Sequence, residues 1–480
     1  MKKNFKKLIS GAMALVMAAG LMAGCDGNGG SADNYQIDWY HVTGNVPGDT
    51  SEVEAAVNEY LADKLPGTTL KLHYLDWGAY SNKLNVMMAG GEKFDICYQD
   101  GQSYKQNVAK NAFLPLNDLI DEFAPKTKEI IGEDFLKGSQ INGVNYGIPA
   151  NKDKGHQQGI IYRKDIVEEL GLEDMIAKVK TMDDMYPIFD IIKEKKPDMI
   201  PLKEGASQAT PSLIDYETIA FPIVLMPDDE TMTPVNLLET EEYKEAVLRV
   251  RQNRLDGYTK ADYKESSEMH FAEFAGLKPG KAAELTVNRK HEYDQVELTE
   301  ARMTNNDATG SLMAISRTSG DPERSMKFLE LFNTDPYLNN LIIYGIEGKH
   351  YNKIDDNYIE PIENSGYGNA GMQWEFGNTF LNYLTKGEDI DKVKNMEEFN
   401  ENLTRAYSLG FQFDGAAVKT ETGACLNVRA EFENTLHGGS DKDPEKTLEE
   451  YRAKMKAAGV DKILAEVTRQ LNEWKKANDK

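Results

Sequence analysis

Two different spacings of apolar residues occur in the first hundred positions of the chain. Leu70, Leu72 and Tyr74 alternate with polar residues, which predicts a strand, whereas Val57 and Leu61 lie four residues apart, as on one face of a helix. In chain order the pattern predicts a strand over 35–42, a helix between 50 and 64, a strand over 70–74, a helix over 80–88 and a strand over 94–98. This order is typical of a parallel sheet with right-handed crossovers.

The rest of the chain carries similar signals, and helices dominate towards its end. A second α/β unit is predicted from about Asn151, and residues 312–316 form a short apolar strand. Aspartate followed by proline predicts a helix start, because the carboxylate caps free N–H groups and proline is preorganised for the first turn. This signal occurs at Asp321, Asp335 and Asp443.

Two shorter signals predict local backbone structure. Asn142-Gly143 stands between apolar residues and is the strongest short signal for a tight hairpin turn. Asp49-Thr50-Ser51 with Glu54 resembles a capping box, which predicts a helix that starts near Asp49.

The first 25 residues form a segment of their own. Four lysines precede an uncharged, mostly apolar run that ends in Leu21-Met22-Ala23-Gly24-Cys25. A basic region, an apolar region and small residues before a cut indicate a secretory signal over residues 1–24. The alternative is an uncleaved membrane anchor, because the run is almost long enough to span a bilayer, but its glycines and small residues favour cleavage. Residues 25–34 are polar and rich in Gly and Asn, which predicts a flexible tether.

Composition narrows the class of protein. A hydrophobic content of 40% with 23 tyrosines indicates a folded chain, and 480 residues suffice for two or three domains. A net charge of −24 disfavours nucleic acid and anionic lipid surfaces as partners. Cys97 lies in an apolar run, so a buried free thiol is favoured over a disulfide with the distant Cys425. No spacing of His and Cys predicts a metal site.

Several ordered stretches resemble family 1 extracellular solute-binding proteins, the maltose-binding-protein-like components of ABC importers. Leu21 to Cys25 resembles a lipobox, and the similarity is greatest to a Gram-positive lipoprotein subgroup with an extra C-terminal segment. The matching stretches are KNAFLPL (110–116), GSQING (138–143), YGIPAN (146–151), AIS (314–316), PERSMKFL (322–329), DPYLNNLIIYGIEGKHY (335–351), GFQFD (410–414) and AAGVDKIL (457–464).

The resemblance implies an α/β fold of two lobes, the type II "Venus flytrap", with three interlobe crossings. We expect these crossings near residues 150–156, 305–312 and 360–370. Lobe 1 would then comprise residues 35–150 and about 312–365. Lobe 2 would comprise about 151–311 and 366–480, including the C-terminal helical segment.

The resemblance also implies a function. The chain would be lipid-anchored through Cys25 at the extracytoplasmic face of the cell membrane, would capture a small solute by hinge closure and would deliver it to the permease subunits. A carbohydrate is the expected ligand, and we expect a monomer without catalysis, cofactor, metal or nucleic-acid partner. Two alternatives stay open: a secreted glycosidase, which would need two carboxyl groups across the scissile bond, and a ligand-sensing partner of a membrane kinase.

Ligands of open α/β sheets bind beyond the carboxyl ends of the strands, which points to the loops after the predicted strands. Tyr40, Thr43, Gly44 and Asn45 follow or end the first strand, although an ordinary turn explains the glycine equally well. After the third strand come Tyr98, Gln99 and Asp100, and Asp100 is equally a candidate helix cap.

Three further residues complete the expected ligand site. Asn151 follows the strand before the first predicted crossing, and Trp77 follows the second strand. Trp374 comes after the Gly-rich stretch 366–371, at the point where the resemblance places a tryptophan in the cleft. An aromatic ring covers the apolar face of a sugar, whereas the alternative for Trp374 is a place in the core. The same Gly-rich stretch contains G-x-G-x-x-G, but no strand precedes it, so it does not indicate a dinucleotide site.

Overall fold

A computed structural model describes residues 34–203, 214–260, 270–289, 291–368 and 372–478. The predicted signal segment, Cys25 and the tether up to residue 33 lie outside these residues, as do positions 369–371 of the Gly-rich stretch. Within the described part of the chain, no helix combines the length and the apolar character needed to cross a membrane.

Strands and helices alternate over the first part of the chain, and helices dominate the last part. The strands are β1 (Tyr35–Thr43), β2 (Thr68–Asp76), β3 (Ile96–Gln99), β4 (Gly147–Pro149), β5 (Gln157–Arg163), β6 (Ile200–Lys203), β7 (Glu217–Ala220), β8 (Ile223–Leu225), β9 (Val235–Asn236), β10 (His270–Leu277), β11 (Tyr293–Glu297), β12 (Arg302–Met303), β13 (Leu312–Ile315), β14 (Tyr351–Lys353), β15 (Tyr358–Pro361), β16 (Leu384–Thr385) and β17 (Thr404–Arg405). The α-helices are α1 (Thr50–Lys64), α2 (Trp77–Gly90), α3 (Gly101–Ala109), α4 (Asn117–Phe123), α5 (Pro125–Ile131), α6 (Glu133–Gly138), α7 (Lys164–Leu170), α8 (Glu173–Ile176), α9 (Tyr186–Lys195), α10 (Glu241–Leu255), α11 (Lys281–Arg289), α12 (Asn305–Thr309), α13 (Pro322–Thr334), α14 (Pro336–Tyr344), α15 (Lys392–Glu401), α16 (Lys419–His437), α17 (Pro444–Ala458) and α18 (Val460–Ala477).

The first sheet has the order β2-β1-β3-β13-β4 and confirms the predicted α/β rhythm. β1 pairs in parallel with β2 and β3, so their carboxyl ends meet at one edge, while β13 runs antiparallel between β3 and β4. Leu70, Leu72 and Tyr74 are buried, as their alternation predicts. One face of β1 buries Trp39, whose ring packs edge-on against Phe328 and Phe332 of α13.

A second sheet of order β11-β5-β10-β6 begins just after residue 151 and confirms the second α/β unit. β5 is antiparallel to both of its neighbours, whereas β10 and β6 are parallel. Helix α9 packs on this sheet and forms its own core around Phe189 and Phe271. The two sheets therefore have separate hydrophobic cores, as expected for two lobes.

The C-terminal helices form a third core instead of extending the second sheet. Residues of α16, α17 and α18 pack against β8 and α10, with Tyr451, Ile463 and Val467 fully buried. The aspartate signals are confirmed, because the carboxylates of Asp321, Asp335 and Asp443 accept hydrogen bonds from backbone N–H groups of the helices that follow.

The structure differs from the predicted third crossing near 360–370. Tyr367, Phe376 and Leu409 are buried in the core of the first sheet, and the Phe376 ring stacks on His41 at a centroid distance of 4.4 Å. The chain instead passes to the C-terminal core around residues 404–411, where β17 pairs with β12. The other lobe boundaries stay a prediction.

Candidate functional site

Three aromatic side chains meet at the carboxyl edge of the first sheet, and we call Trp77, Tyr98 and Trp374 the aromatic platform. The indole rings of Trp77 and Trp374 are nearly parallel, with an interplanar angle of 12° and a centroid distance of 6.2 Å. The Tyr98 ring stands edge-on to both, at 6.4 Å from Trp77 and 6.0 Å from Trp374. Trp77 is 49% exposed, whereas Tyr98 is buried beneath the two indoles. The platform thus exposes aromatic surface to solvent, with Trp77 as its most exposed residue.

Local structure holds each ring in place. Asp76 ends β2, and its carboxylate accepts hydrogen bonds from Gly78 N (2.9 Å) and Ala79 N (3.0 Å), which fixes Trp77 in the first turn of α2. The Tyr80 hydroxyl of the same helix donates to the Tyr98 carbonyl at 2.8 Å. Trp374 lies in a short 3₁₀ turn, Gln373–Glu375, whose last carbonyl accepts a hydrogen bond from Ser311 Oγ.

Glu375, next to Trp374, is a carboxyl group that the sequence pattern does not reveal. It is 0% exposed, and neither carboxyl oxygen has a hydrogen-bond partner. Desolvation raises the pKa of Glu375 to about 9, so the group is uncharged at neutral pH. Glu375 also affects Tyr98 of the platform. The pKa of Tyr98 is raised by burial and additionally by its electrostatic interaction with Glu375.

Gln99 and Asp100 follow Tyr98, but the structure uses both side chains internally. Gln99 is 1% exposed; its amide donates to the Tyr98 carbonyl at 2.6 Å and accepts from Asn107 at 2.9 Å. Asp100 forms a capping box with Ser103 at the start of α3, with Asp100 Oδ1 accepting from Ser103 N at 2.8 Å. Helix capping, the alternative considered for Asp100, is therefore what this conformation shows.

The residues predicted at the end of the first strand divide into two groups. Tyr40 lies within β1, where its ring stacks on His73 at 4.2 Å, so it is not at the carboxyl edge. Thr43 is buried and exchanges hydrogen bonds with the backbone of Asn45. Gly44 and Asn45 are exposed at the edge and stay predicted ligand residues.

Asn151 lies in a buried contact rather than on an open surface. Its side chain is buried and donates to Asn378 Oδ1 at 2.8 Å, while its backbone N–H donates to the Gly377 carbonyl at 2.7 Å. These contacts join the backbone at Asn151 to the segment that carries Trp374. Across the described ranges, no group of three or more His, Cys, Asp or Glu side chains is arranged to hold a metal ion.

Comparisons with known proteins show which family the sequence resembles. Residues 46–264 match the family of bacterial extracellular solute-binding proteins, and residues 407–476 match a domain family of unknown function. A carbohydrate ABC transporter substrate-binding protein of Streptococcus pneumoniae is 27% identical over 99% of both chains. The chain is therefore similar to bacterial extracellular solute-binding proteins.

A solved structure and a further sequence relative extend the similarity. The N-glycan transport solute-binding protein NgtS of Streptococcus pneumoniae superimposes with a TM-score of 0.83 at 25% identity, covering 93% of this chain and 100% of NgtS. A polygalacturonan/rhamnogalacturonan-binding protein of Bacillus subtilis is 24% identical over 72% of this chain and 74% of its own length. The expected two-lobed α/β fold and family are thereby confirmed.

Proposed function

We propose that this solute-binding protein captures an oligosaccharide between its lobes and delivers it to an ABC permease at the extracytoplasmic face of the membrane. The aromatic platform is the observation that carries the proposal. Aromatic side chains supply a large apolar contact area with few rotatable bonds, and sugar rings have apolar faces that such surfaces cover. The similarity to a carbohydrate transporter component along 99% of the chain supports the same conclusion.

An uncharged ligand fits the platform better than an acidic one. The group beneath the rings is Glu375, which is neutral at pH 7 and ionises only as pH approaches about 9. The platform itself offers no cation that would pair with a uronate. We therefore place neutral glycans, such as those bound by NgtS, ahead of the acidic polymers named for the Bacillus subtilis relative.

Hinge closure is the proposed mechanism, and the TM-scores support it. The chain matches one NgtS structure at 0.83, the Man1GlcNAc complex of NgtS at 0.74 and the Man5GlcNAc complex at 0.70, although the sequence identity is 25% in each case. The described conformation is thus less similar to the two glycan complexes, and a ligand that binds a closed form better would shift the population towards that form.

The decisive experiment measures glycan binding with and without the platform. We expect Man1GlcNAc or Man5GlcNAc to bind the tether-free protein and raise its melting temperature, since a ligand at about 100 times its Kd adds about 2.7 kcal/mol of stability. Trp374→Ala should weaken binding about 100-fold while the fold survives, because removing a central aromatic contact costs about 2–3 kcal/mol. Trp474→Ala, on α18 in the C-terminal segment, is the matched control and should bind as the parent does.

Two outcomes would contradict the proposal. Equal glycan affinity in Trp374→Ala and the parent would show that the platform is not the site. If chromatography detects smaller sugars released from a bound glycan, the protein is a glycosidase instead of a binding protein.

We also propose lipidation at Cys25, which would hold the protein near its permease and raise its local concentration there. Labelling with a radioactive fatty acid should mark the parent and leave Cys25→Ser unlabelled, with that variant released into the medium. Retention of an unlabelled parent in the membrane would favour the uncleaved anchor.

A further inference from the structure

A cavity of about 120 Å³ lies away from the aromatic platform. It lies beside three chain segments, around His156, Arg302 and Thr404, which we take as the three passages of the chain between the lobes. Its lining comes from segments 156–158, 215–218, 225–232, 299–306 and 406–408, and we call it the hinge pocket. None of the residues predicted to bind the transported ligand lines it. Its volume exceeds what one water needs several-fold, so it has room for a small molecule.

The walls of the hinge pocket are the passages themselves. His156 on the first passage and Arg302 on the second are joined by two backbone hydrogen bonds of 3.0 and 2.9 Å, and Arg302 pairs with Thr404 of β17 on the third. Contact is so close that a β carbon at Gly155 would lie 2.3 Å from the Arg302 carbonyl oxygen. The pocket is therefore lined by closely packed, hydrogen-bonded backbone segments and not by a loose loop.

Arg302 and Glu217 in the hinge pocket already have protein partners. The Arg302 guanidinium, with a side chain 14% exposed, pairs with Asp228 (2.8 Å) and Glu300 (3.3 Å). Glu217 accepts hydrogen bonds from Ser408 Oγ (2.5 Å) and Asn305 Nδ2 (3.3 Å). An ionic ligand would have to displace these partners, whereas an uncharged one with hydroxyl groups would add to them.

Hydrogen-bonding capacity remains available at the same place. Arg302 Nε is buried without a hydrogen-bond partner, and the nearest carboxylate, Asp215 Oδ2, is 3.8 Å away. That separation is longer than a hydrogen bond and leaves an unfulfilled donor facing an acceptor. A hydroxyl group of a ligand, which both donates and accepts, would satisfy the two together.

The opposite side of the hinge pocket is apolar. Leu225, Met226 and Met232 line it, and Leu225 and Met232 pack on Phe411 and Leu471 of the C-terminal segment. Tyr407 and Ser408 also line the pocket, and they are the first two residues of segment 407–476, which matches the domain family of unknown function. An apolar floor with a polar rim is the usual composition of a small-molecule site.

We propose that the hinge pocket binds one small, uncharged polyhydroxy molecule of about monosaccharide size, independently of the aromatic platform. The site gives the C-terminal segment a function, because that segment supplies part of the floor and the rim. Occupation would bridge all three passages, so the small ligand would contact the elements that move when the lobes close.

The test uses D-mannose and N-acetyl-D-glucosamine as probes in titration calorimetry. The double variant Trp77→Ala/Trp374→Ala removes the platform, and we expect it to keep monosaccharide binding with unchanged affinity. Thr218→Trp fills the hinge pocket from an exposed strand position and should weaken monosaccharide binding about tenfold or more. Thr420→Trp, at an exposed position on α16, is the matched control and should bind normally.

Glycan binding separates this proposal from the transport function. Thr218→Trp should still bind Man5GlcNAc and melt like the parent, which shows that it is folded. Three results would refute ligand binding in the hinge pocket. The first is that neither monosaccharide binds the parent, and the second is that the platform double variant loses monosaccharide binding. The third result is that Thr218→Trp binds the monosaccharides as well as Thr420→Trp does. Loss of glycan binding in the platform variant alone bears on the transport function and leaves the pocket intact.

Discussion

The aromatic platform and the hinge pocket differ in how each would hold a ligand. The platform is built from two indoles and a phenol above an uncharged carboxyl group, so contact area dominates there. The hinge pocket contains Arg302, which already pairs with Asp228 and Glu300, and further polar groups, so hydrogen bonding would dominate there. If both proposals hold, the platform selects ligands by shape and the hinge pocket selects them by hydrogen-bonding groups. Four variants test this contrast.

The largest effect is expected at Glu375 beneath the platform. Its folded pKa of about 9 lies above the ordinary value of 4.5, so the folded protein binds the proton more tightly than the unfolded chain. Stability is therefore fully present below about pH 4.5 and falls as pH rises towards 9. Glu375→Gln keeps the neutral shape and should be more stable than the parent at pH 8 by on the order of 4 kcal/mol.

Chemical denaturation at pH 4 and pH 8 measures the Glu375 effect. The two proteins should be equally stable at pH 4, and only the parent should lose stability at pH 8. Glu363→Gln changes an exposed carboxyl group and is the control. Parallel pH profiles of Glu375→Gln and the parent would show that Glu375 has a normal pKa and that the platform stands above a charge.

Trp77→Ala should produce the next largest effect, on glycan affinity. Half of the Trp77 surface is already exposed, so its loss should weaken glycan binding by about 1–2 kcal/mol, less than the loss of Trp374. Titration of both variants with Man5GlcNAc provides the comparison. An effect of Trp77→Ala as large as that of Trp374→Ala would make the two indoles equal partners.

Asp100→Ala separates the two roles considered for this residue. Loss of the capping box should lower the free energy of unfolding by about 1 kcal/mol and leave glycan affinity unchanged. Asp118→Ala, in the first turn of α4 but not capping it, should change stability less. A tenfold loss of glycan affinity in Asp100→Ala, with normal stability, would make Asp100 a ligand residue after all.

Arg302→Gln in the hinge pocket should have the smallest effect. Its partners Asp228 and Glu300 are mostly exposed, so the ion pairs contribute about 0.5 kcal/mol, and high salt should reduce even that difference. Melting curves at low and high salt measure it, with the exposed Arg317→Gln as control. A loss of several kcal/mol would show that Arg302 acts as a buried charge.

Short-range signals in the sequence predicted local structure well. Asn142 and Gly143 have φ values of 53° and 79°, the left-handed conformation that their turn requires, and three aspartates cap the helices that they precede. Such features depend on residues a few positions apart, whose contacts form whatever the rest of the chain does.

At Asp49, contacts with distant residues replaced the capping box that the sequence predicted. Its side chain makes no capping hydrogen bond to α1; instead its carboxylate pairs with Lys349 at 2.8 Å and lies 3.4 Å from His350, both about 300 positions away. Hydrogen bonds to these two residues lower the pKa of Asp49. Glu54, the predicted partner in the capping box, bonds to the backbone of β2 instead.

The sequence by itself determined the two α/β units, the helix starts, the family resemblance and the candidates Trp77, Tyr98 and Trp374, because periodicity and short motifs are local properties. Only the tertiary structure decided that these three rings meet, that Gln99 and Asn151 turn inward, that Phe376 holds its segment on the first lobe, and that Glu375 is buried without a partner. Burial, desolvation and close approach depend on residues hundreds of positions apart, so no local pattern could reveal them.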